Sequence, residues 1–414
     1  MANIEEQDPG TPPSLEVHDS DVVVARQPIF DAGWNVVAYE LLYRSIADPA
    51  EPVSPESMTA ALLTRVFSDV GLDALVGDRP AHVNVTRDFL LAVRPLPLSP
   101  RRTVIELVED QVIDNALLAV LREAVDAGFT LALDSFEYAP SMEPLLKLAS
   151  IVKLDVQALT PDELAAEVRR LETRKLRLVA EKVEEAEEYE LCRELDFDAY
   201  QGYFFALPEL SRAPATPTHE LGTLCALAST DASTTFEELE RTISRDAGLS
   251  HKLLRFANSA HVSPLSPIAS LQQALTMIGT VAIRRWGMLL SLTGLRDAPH
   301  HLLNAAMVRA RMSELLAPSM SASRDRAFTC GLFSLLDAMT GRPMADLVTE
   351  LPFDDRLAEA LLDHEGPEGR VLRATLAYER GAFDEAAEFA PPEVLADAYK
   401  QAIQWSDHEA PAMR

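Results

Sequence analysis

The chain has 414 residues, 48% hydrophobic and 25% charged, with 65 Asp and Glu against 37 Lys and Arg and a formal charge of −28. That length allows two domains, and a field of that sign repels nucleic acid, which argues against general backbone binding. No stretch is apolar for long enough to cross a bilayer, so no membrane attachment is expected.

The opening MANIEEQDPGTPPSLEVHDSD is acidic and Pro-rich and lacks the apolar core of a secretion signal, so residues 1–20 are expected to be a disordered leader. Seven apolar, strand-like runs follow: WNVVAYELLYR, RPAHVNVT, RTVIELVED, FTLALDSF, SIVKLD, RLVAEKVE and AYQGYFF. Amphipathic stretches lie between most of them. Near-continuous apolar runs suit parallel strands buried on both faces, and alternation with helices gives βα units that close into a barrel. An α/β domain of modified TIM-type (β/α)8 architecture is therefore expected over residues 21–208.

At or near the C-terminal ends of these runs stand Glu40, Asn84, Glu106, Asp134, Lys153, Glu181 and Gln201. A polar residue at any one strand end is ordinary, because the chain meets water there. Seven in order, in this mixture, are far harder to obtain by chance. In a parallel barrel they converge on one mouth. Glu40, Asn84, Glu106 and Asp134 then offer oxygen ligands to Mg²⁺ or Mn²⁺. Lys153 is placed to stabilise a phosphate oxygen or orient a water. Glu181 is placed to hold a second metal or act as a base, and Gln201 to position water or substrate. Arg44, just beyond the first run, offers a fork contact to phosphate. This combination suits metal-assisted hydrolysis of a phosphodiester.

Pro, Ala and Thr dominate the stretch around residues 209–218, which reads as a linker. Beyond it the apolar spacing becomes helical, as in FEELERTISRDAGLSHKLLRFANSA and GRVLRATLAYERG. The expected helix stops are Gly248, Gly279, Gly341 with Pro343, and Gly366-Pro367. An all-α domain is expected over 219–405, followed by a tail at 406–414. The three cysteines lie far apart without a C-x-x-C pair and read as reduced thiols, which with the rest points to the cytoplasm.

The N-terminal half resembles the EAL family of cyclic-di-GMP phosphodiesterases. Q-P-I is matched by Gln27-Pro28-Ile29, E-A-L-x-R by Glu40 to Arg44, and the strand-end asparagine by Asn84. E-[IL]-x-E is matched by Glu106 to Glu109, K-I-D by Lys153-Leu154-Asp155, A-E-G-V-E by Ala180 to Glu184, and Q-G-Y by Gln201-Gly202-Tyr203. The resemblance implies metal ligation by Glu40, Asn84, Glu106 and Asp134, catalysis by Lys153, Glu181 and Gln201, and substrate binding by Gln27 and Arg44. It also departs from the family. The D-D-F-G segment reads Asp134-Ser135-Phe136-Glu137, so a hydroxyl replaces the carboxylate that ligates a second metal. Pro140 stiffens the loop that follows, Glu137 adds negative charge near an anionic substrate, and Lys182 replaces the glycine of A-E-G-V-E. One Mg or Mn site rather than two, and weak or absent hydrolysis, are expected.

The C-terminal half resembles the HDOD family, through Asp246 to Ser259 and SLQQALTMIGTVAIRRW. Where related metal-binding domains carry His-Asp, this chain has Ser334-Leu335, which make a poor ligand pair. His300-His301 is adjacent rather than helically spaced and reads as surface. A non-catalytic module is expected, used for self-association or a protein partner. Over nearly its whole length the sequence resembles the EAL–HDOD signalling proteins of bacteria. Three functions follow from the resemblance: a cyclic-di-GMP network protein that binds nucleotide or a protein with little turnover, an active metal-dependent phosphodiesterase, or a nucleotide-independent scaffold.

Overall fold

A computed structural model describes residues 22–45, 71–108, 112–206, 221–230, 234–259, 262, 268–295, 300–351 and 353–410. The expected leader (1–20) and linker (209–218) lie outside the described residues.

Eight strands close into a barrel in sequence order: β1 (Val22–Asp31), β2 (Val36–Ser45), β3 (Ala81–Val85), β4 (Thr103–Leu107), β5 (Thr130–Leu133), β6 (Ile151–Asp155), β7 (Arg177–Glu181) and β8 (Ala199–Tyr200). The modified TIM-type barrel is thus present, and the seven runs contribute β2 to β8, which are mutually parallel. β1 is the addition, and it runs antiparallel to both β2 and β8. Its sequence, VVVARQPIFD, carries an Arg, a Gln and a Pro that break a strand pattern. The turn after it leaves no choice of direction. Asp31 Oδ1 accepts from the backbone N–H groups of Gly33 (2.8 Å) and Asn35 (2.9 Å), and so short a connection can only join antiparallel neighbours.

Helices α1 (Leu72–Val76), α2 (Arg87–Ala92), α3 (Asn115–Asp126), α4 (Glu143–Leu146), α5 (Pro161–Leu171) and α6 (Ala186–Glu194) pack outside the barrel. Thr86, Asp114 and Thr160 start α2, α3 and α5 by accepting from a backbone N–H three residues on.

Strand pleating then sorts the interior. Ile29, Ala38, Val104, Ala132, Ile151, Val179 and Ala199 form an apolar plug. On each strand the residue two positions nearer the mouth is polar: Gln27, Glu40, Glu106, Asp134, Lys153, Glu181 and Gln201 in the same order. On β3 the corresponding pair is His82 and Asn84, so His82 is the polar member of the plug layer.

The remaining described helices are α7 (Gly222–Ala228), α8 (Phe236–Ser244), α9 (Ala247–Ala257), α10 (Leu271–Ile278), α11 (Thr280–Leu292), α12 (His300–Leu316), α13 (Arg324–Phe333), α14 (Leu336–Thr340), α15 (Met344–Glu350), α16 (Asp355–Leu362), α17 (Gly366–Glu379), α18 (Phe383–Ala387) and α19 (Pro392–Glu409). The last runs through part of the expected tail, because Ser406 and Glu409 are buried. Gly279 and Gly341 stand at helix C-termini, as expected of stops. Gly248 instead lies in the first turn of α9, and Gly366-Pro367 opens α17, where the missing N–H of proline costs nothing. Among the described residues no helix is long and apolar enough to cross a membrane.

Besides the plug, two larger apolar cores lie among the described residues. One lies within the bundle, among α7 to α17. The other is continuous from the barrel into Val308, Met312, Leu316, Tyr378 and Tyr399 of α12, α17 and α19. Polar contacts fix the seam. Tyr378 donates to the Val24 carbonyl (3.1 Å), and the Arg26 N–H donates to Tyr399 Oη (3.3 Å). At the end of β2, Arg44 pairs with Asp384 of α18. There Gly381, at φ 76°, comes so close that a Cβ would lie 2.9 Å from Leu42 Cδ1.

Candidate functional site

β2, β4, β5, β6 and β7 bring four carboxylates and one ammonium together at the barrel mouth. Lys153 Nζ lies 2.8 Å from Glu40 Oε2, 3.0 Å from Asp134 Oδ1, 3.2 Å from Glu106 Oε1 and 3.3 Å from Glu181 Oε2. Its side chain is 1% exposed. Burial alone would favour the neutral amine, but four carboxylates outweigh it and hold the Lys153 pKa well above its usual value. Burial also opposes the Glu40 carboxylate. The Lys153 charge, with hydrogen bonds from Gln201 and Asn84, still keeps Glu40 below the ordinary range. Glu181 goes the other way: burial, helped by the nearby Asp134 charge and opposed by Lys153, pushes it up to about 7.

The amides complete the set. Asn84 Nδ2 donates to Glu40 Oε1 (2.8 Å), and Gln201 Nε2 donates to Glu40 Oε2 (2.7 Å) and Gln27 Oε1 (2.7 Å). The structure therefore brings Gln27, Glu40, Asn84, Glu106, Asp134, Lys153, Glu181 and Gln201 to one mouth. Arg44 stands apart from them, half exposed and paired with Asp384. Ser135, at φ 40°, donates its hydroxyl to Glu181 Oε1 at 2.7 Å. Lys182 has a left-handed φ of 57°, which explains why glycine suits that place, and its ammonium pairs with Asp155 at 2.5 Å. The loop after β5 is tied down through Tyr138, which donates to Glu143 (3.0 Å), itself bonded by Arg174 at 2.6 Å.

Motif reading passes over His82. It is 4% exposed, and its Nδ1 lies 2.5 Å from Glu106 Oε1, so it holds one oxygen of that carboxylate. The alternation that turns Asn84 inward turns His82 inward too, and that is the signal by which it is found.

The donors Glu40, Asn84, Glu106 and Asp134 are all oxygens, the set a hard divalent cation takes. Asn84 Oδ1 is buried without a hydrogen-bond partner, and Asp134 Oδ1 has only the Lys153 charge. These oxygens fit such an ion. Among the described residues no three acidic, His or Cys side chains stand in metal-ligand geometry, and the carboxylates close on Lys153 instead.

In the bundle, Ser334 donates to the Gly331 carbonyl (2.8 Å) and accepts from Arg309 Nη1 (3.3 Å). Arg309, 2% exposed, forks onto both oxygens of Glu379 at 2.6 and 3.1 Å. A guanidinium thus stands beside the Ser334-Leu335 pair. Asn258 has a structural part, with its amide bonding the carbonyls of Leu254 and Ile268.

Comparisons with known proteins agree with this division. The EAL domain family model matches residues 79–208 and the HDOD domain model residues 219–339. A protein of Bacillus subtilis, "Uncharacterized protein YuxH", is 31% identical over 93% of this chain and 98% of its own length. "Cyclic di-GMP phosphodiesterase CdgJ" of Vibrio cholerae is 31% identical over 86% of this chain and 84% of its own. Among solved structures, an EAL domain protein from Listeria monocytogenes is similar over 45% of this chain and 87% of its own, at 19% identity and a TM-score of 0.38.

Proposed function

Because this chain belongs to the family in which an EAL domain is followed by an HDOD domain, we propose that it is a signal-transduction protein of the cyclic di-GMP network whose barrel mouth binds cyclic di-GMP and hydrolyses it slowly. The observation that carries this reading is the convergence of four carboxylates on Lys153 with a hydroxyl, Ser135, bonded to Glu181.

In this reading Arg44 grips a phosphate by its fork once released from Asp384, and Gln27 and Gln201 orient the nucleotide over Glu40. Lys153 steadies negative charge on phosphate oxygen. Glu181, poised near neutrality, is suited to take a proton from the attacking water. A Mg²⁺ or Mn²⁺ ion held by Glu40, Asn84, Glu106 and Asp134 would polarise the phosphodiester and lower the pKa of water. Ser135 supplies no anionic charge for a second cation, and the pinned loop after β5 leaves little room for closure. The barrel domain is taken as 21–208 and the helical domain as 219–405. The helical half, with Ser334 and Leu335 in place of ligands, serves as an interaction module in the cytoplasm.

Ser135→Asp is expected to raise the rate of linearisation at least about tenfold, a barrier change of roughly 1.4 kcal/mol. Incubation with cyclic di-GMP and Mn²⁺, followed by chromatography of the linear dinucleotide, measures it. A natural chain that already turns over as fast as the variant overturns the account of Ser135. That outcome would instead favour the second reading, an active phosphodiesterase, which the name of the Vibrio relative supports.

A further inference from the structure

Where β2, β4 and β5 place Ala38, Val104 and Ala132 in the apolar plug, β3 places His82. A buried imidazole costs free energy unless it is hydrogen-bonded. The register shows which bond this ring reaches. His82 is level with Glu40 on β2 and with Val104 on β4, whereas Asn84 is level with Glu106. Glu106 therefore stands one inward step nearer the mouth than His82, on the adjacent strand. The ring meets it from below, with Nδ1 2.5 Å from Oε1. Nδ1 donates, because a carboxylate offers acceptors only.

That bond divides the two oxygens of Glu106. Oε1 is held by His82, and Lys153 Nζ lies farther from it, at 3.2 Å. Oε2 meets Lys153 only at 3.4 Å. The Glu106 side chain is 0% exposed, against 8%, 19% and 7% for Glu40, Asp134 and Glu181. Bulk water cannot orient it, so its protein partners do. Glu40 is held differently. Its Oε1 accepts from Asn84, and its Oε2 accepts from Gln201 and Lys153 at 2.7 and 2.8 Å. Glu106 instead has one oxygen fixed from the plug side and the other only loosely engaged.

We propose that His82 is a positioning residue for the cation site and sets its preference among divalent ions. By holding Oε1, it leaves Glu106 to serve a cation through Oε2, as a ligand of one oxygen. Mg²⁺ and Mn²⁺ take octahedral oxygen sets, which one oxygen from each side chain supplies well. Ca²⁺ takes about six to eight oxygens and often both from one carboxylate. His82 therefore favours the smaller ions. Without the ring, Glu106 is free to turn and offer both oxygens, which suits Ca²⁺. The partner that orients a ligand in this way contributes to affinity although it never touches the ion. The inference rests on the cation of the proposed function and not on its nucleotide.

The test is titration of the full chain with Mn²⁺, read from the electron paramagnetic resonance of the free ion, with Ca²⁺ added in competition. His82→Phe keeps a ring and removes the donor. It is expected to weaken Mn²⁺ about tenfold or more and Ca²⁺ by less, so that the preference narrows. His82→Asn places an amide nitrogen near the position of Nδ1 and is expected to recover much of the preference, which a space-filling role would not. Unchanged binding of both ions in His82→Phe overturns the inference, as does equal weakening of the two. Weakening without recovery in His82→Asn marks packing alone and overturns it as well, and so does a natural chain that binds neither ion. If the ions behave as expected but calorimetry finds no binding of cyclic di-GMP to the natural chain, the proposed function falls and the role of His82 stands. If cyclic di-GMP binds and the ion preference does not move, the role of His82 falls alone. Should His82→Phe fail to fold, His82→Gln, whose amide nitrogen lies toward the position of Nε2, takes its place.

Discussion

Replacing Lys153 by methionine is expected to lower the stability of the protein by about 3–5 kcal/mol, the usual penalty for removing one member of a buried ionic group. Methionine matches the length of the side chain, so the loss is one of charge rather than volume. Glu40, Glu106, Asp134 and Glu181 then face one another with no cation among them. Their nearest oxygens all lie within 3.3 Å of the missing ammonium. Thermal unfolding with and without Mn²⁺ is the measurement. The natural chain should respond weakly to the ion, because Lys153 competes with it for the same oxygens. The variant should lose most of its stability without metal and recover part of it with metal. A variant that melts like the natural chain under both conditions would mean that the four carboxylates do not depend on Lys153.

The second large effect belongs to Gly331, in the last turn of α13. A Cβ there would lie 2.5 Å from the Arg309 carbonyl oxygen and 2.8 Å from Ala310 Cα, both backbone atoms of α12. Backbone cannot rotate aside as a side chain can, so the helices must separate. Overpacking of this kind costs about 1–3 kcal/mol and sometimes more. Gly331→Ala is expected at the upper end of that range, and Gly331→Leu is expected to abolish soluble expression. Gly222, with nothing within 4 Å, is the control, and Gly222→Ala should be neutral. Equal melting temperatures for the two alanine variants would contradict the close crossing of α12 and α13.

Strand-end chemistry was legible in the sequence because parallel strands bring their ends to one mouth, and a polar residue ending an apolar run marks where that mouth lies. Gln27 was legible only as part of a motif, since β1 runs the other way and its polar residue precedes an apolar one. His82 was hidden for a different reason. It sits inside an apolar run, where a histidine resembles a filler, and only the pairing of inward positions on β3 and β4 places it against Glu106. Pairing across the seam could not be read at all. Asp384 and Asp407, the carboxylates that Arg44 and Arg26 meet, are separated from them by most of the chain, and no local pattern encodes which distant side chain an arginine meets.

The bond from Tyr378 to the Val24 carbonyl spans 354 residues. During synthesis β1 emerges well before α17 and α19, and its outer face must wait for them. At about 5–20 residues per second that wait is roughly 20–70 s. Closing the barrel satisfies the edges of β1 but leaves Phe30 and its neighbours without their covering helices. The nascent chain thus carries an apolar strip that waits for helices made much later. A ribosome stalled before α17 would hold a sticky intermediate, a substrate for chaperones or proteases rather than a working fragment.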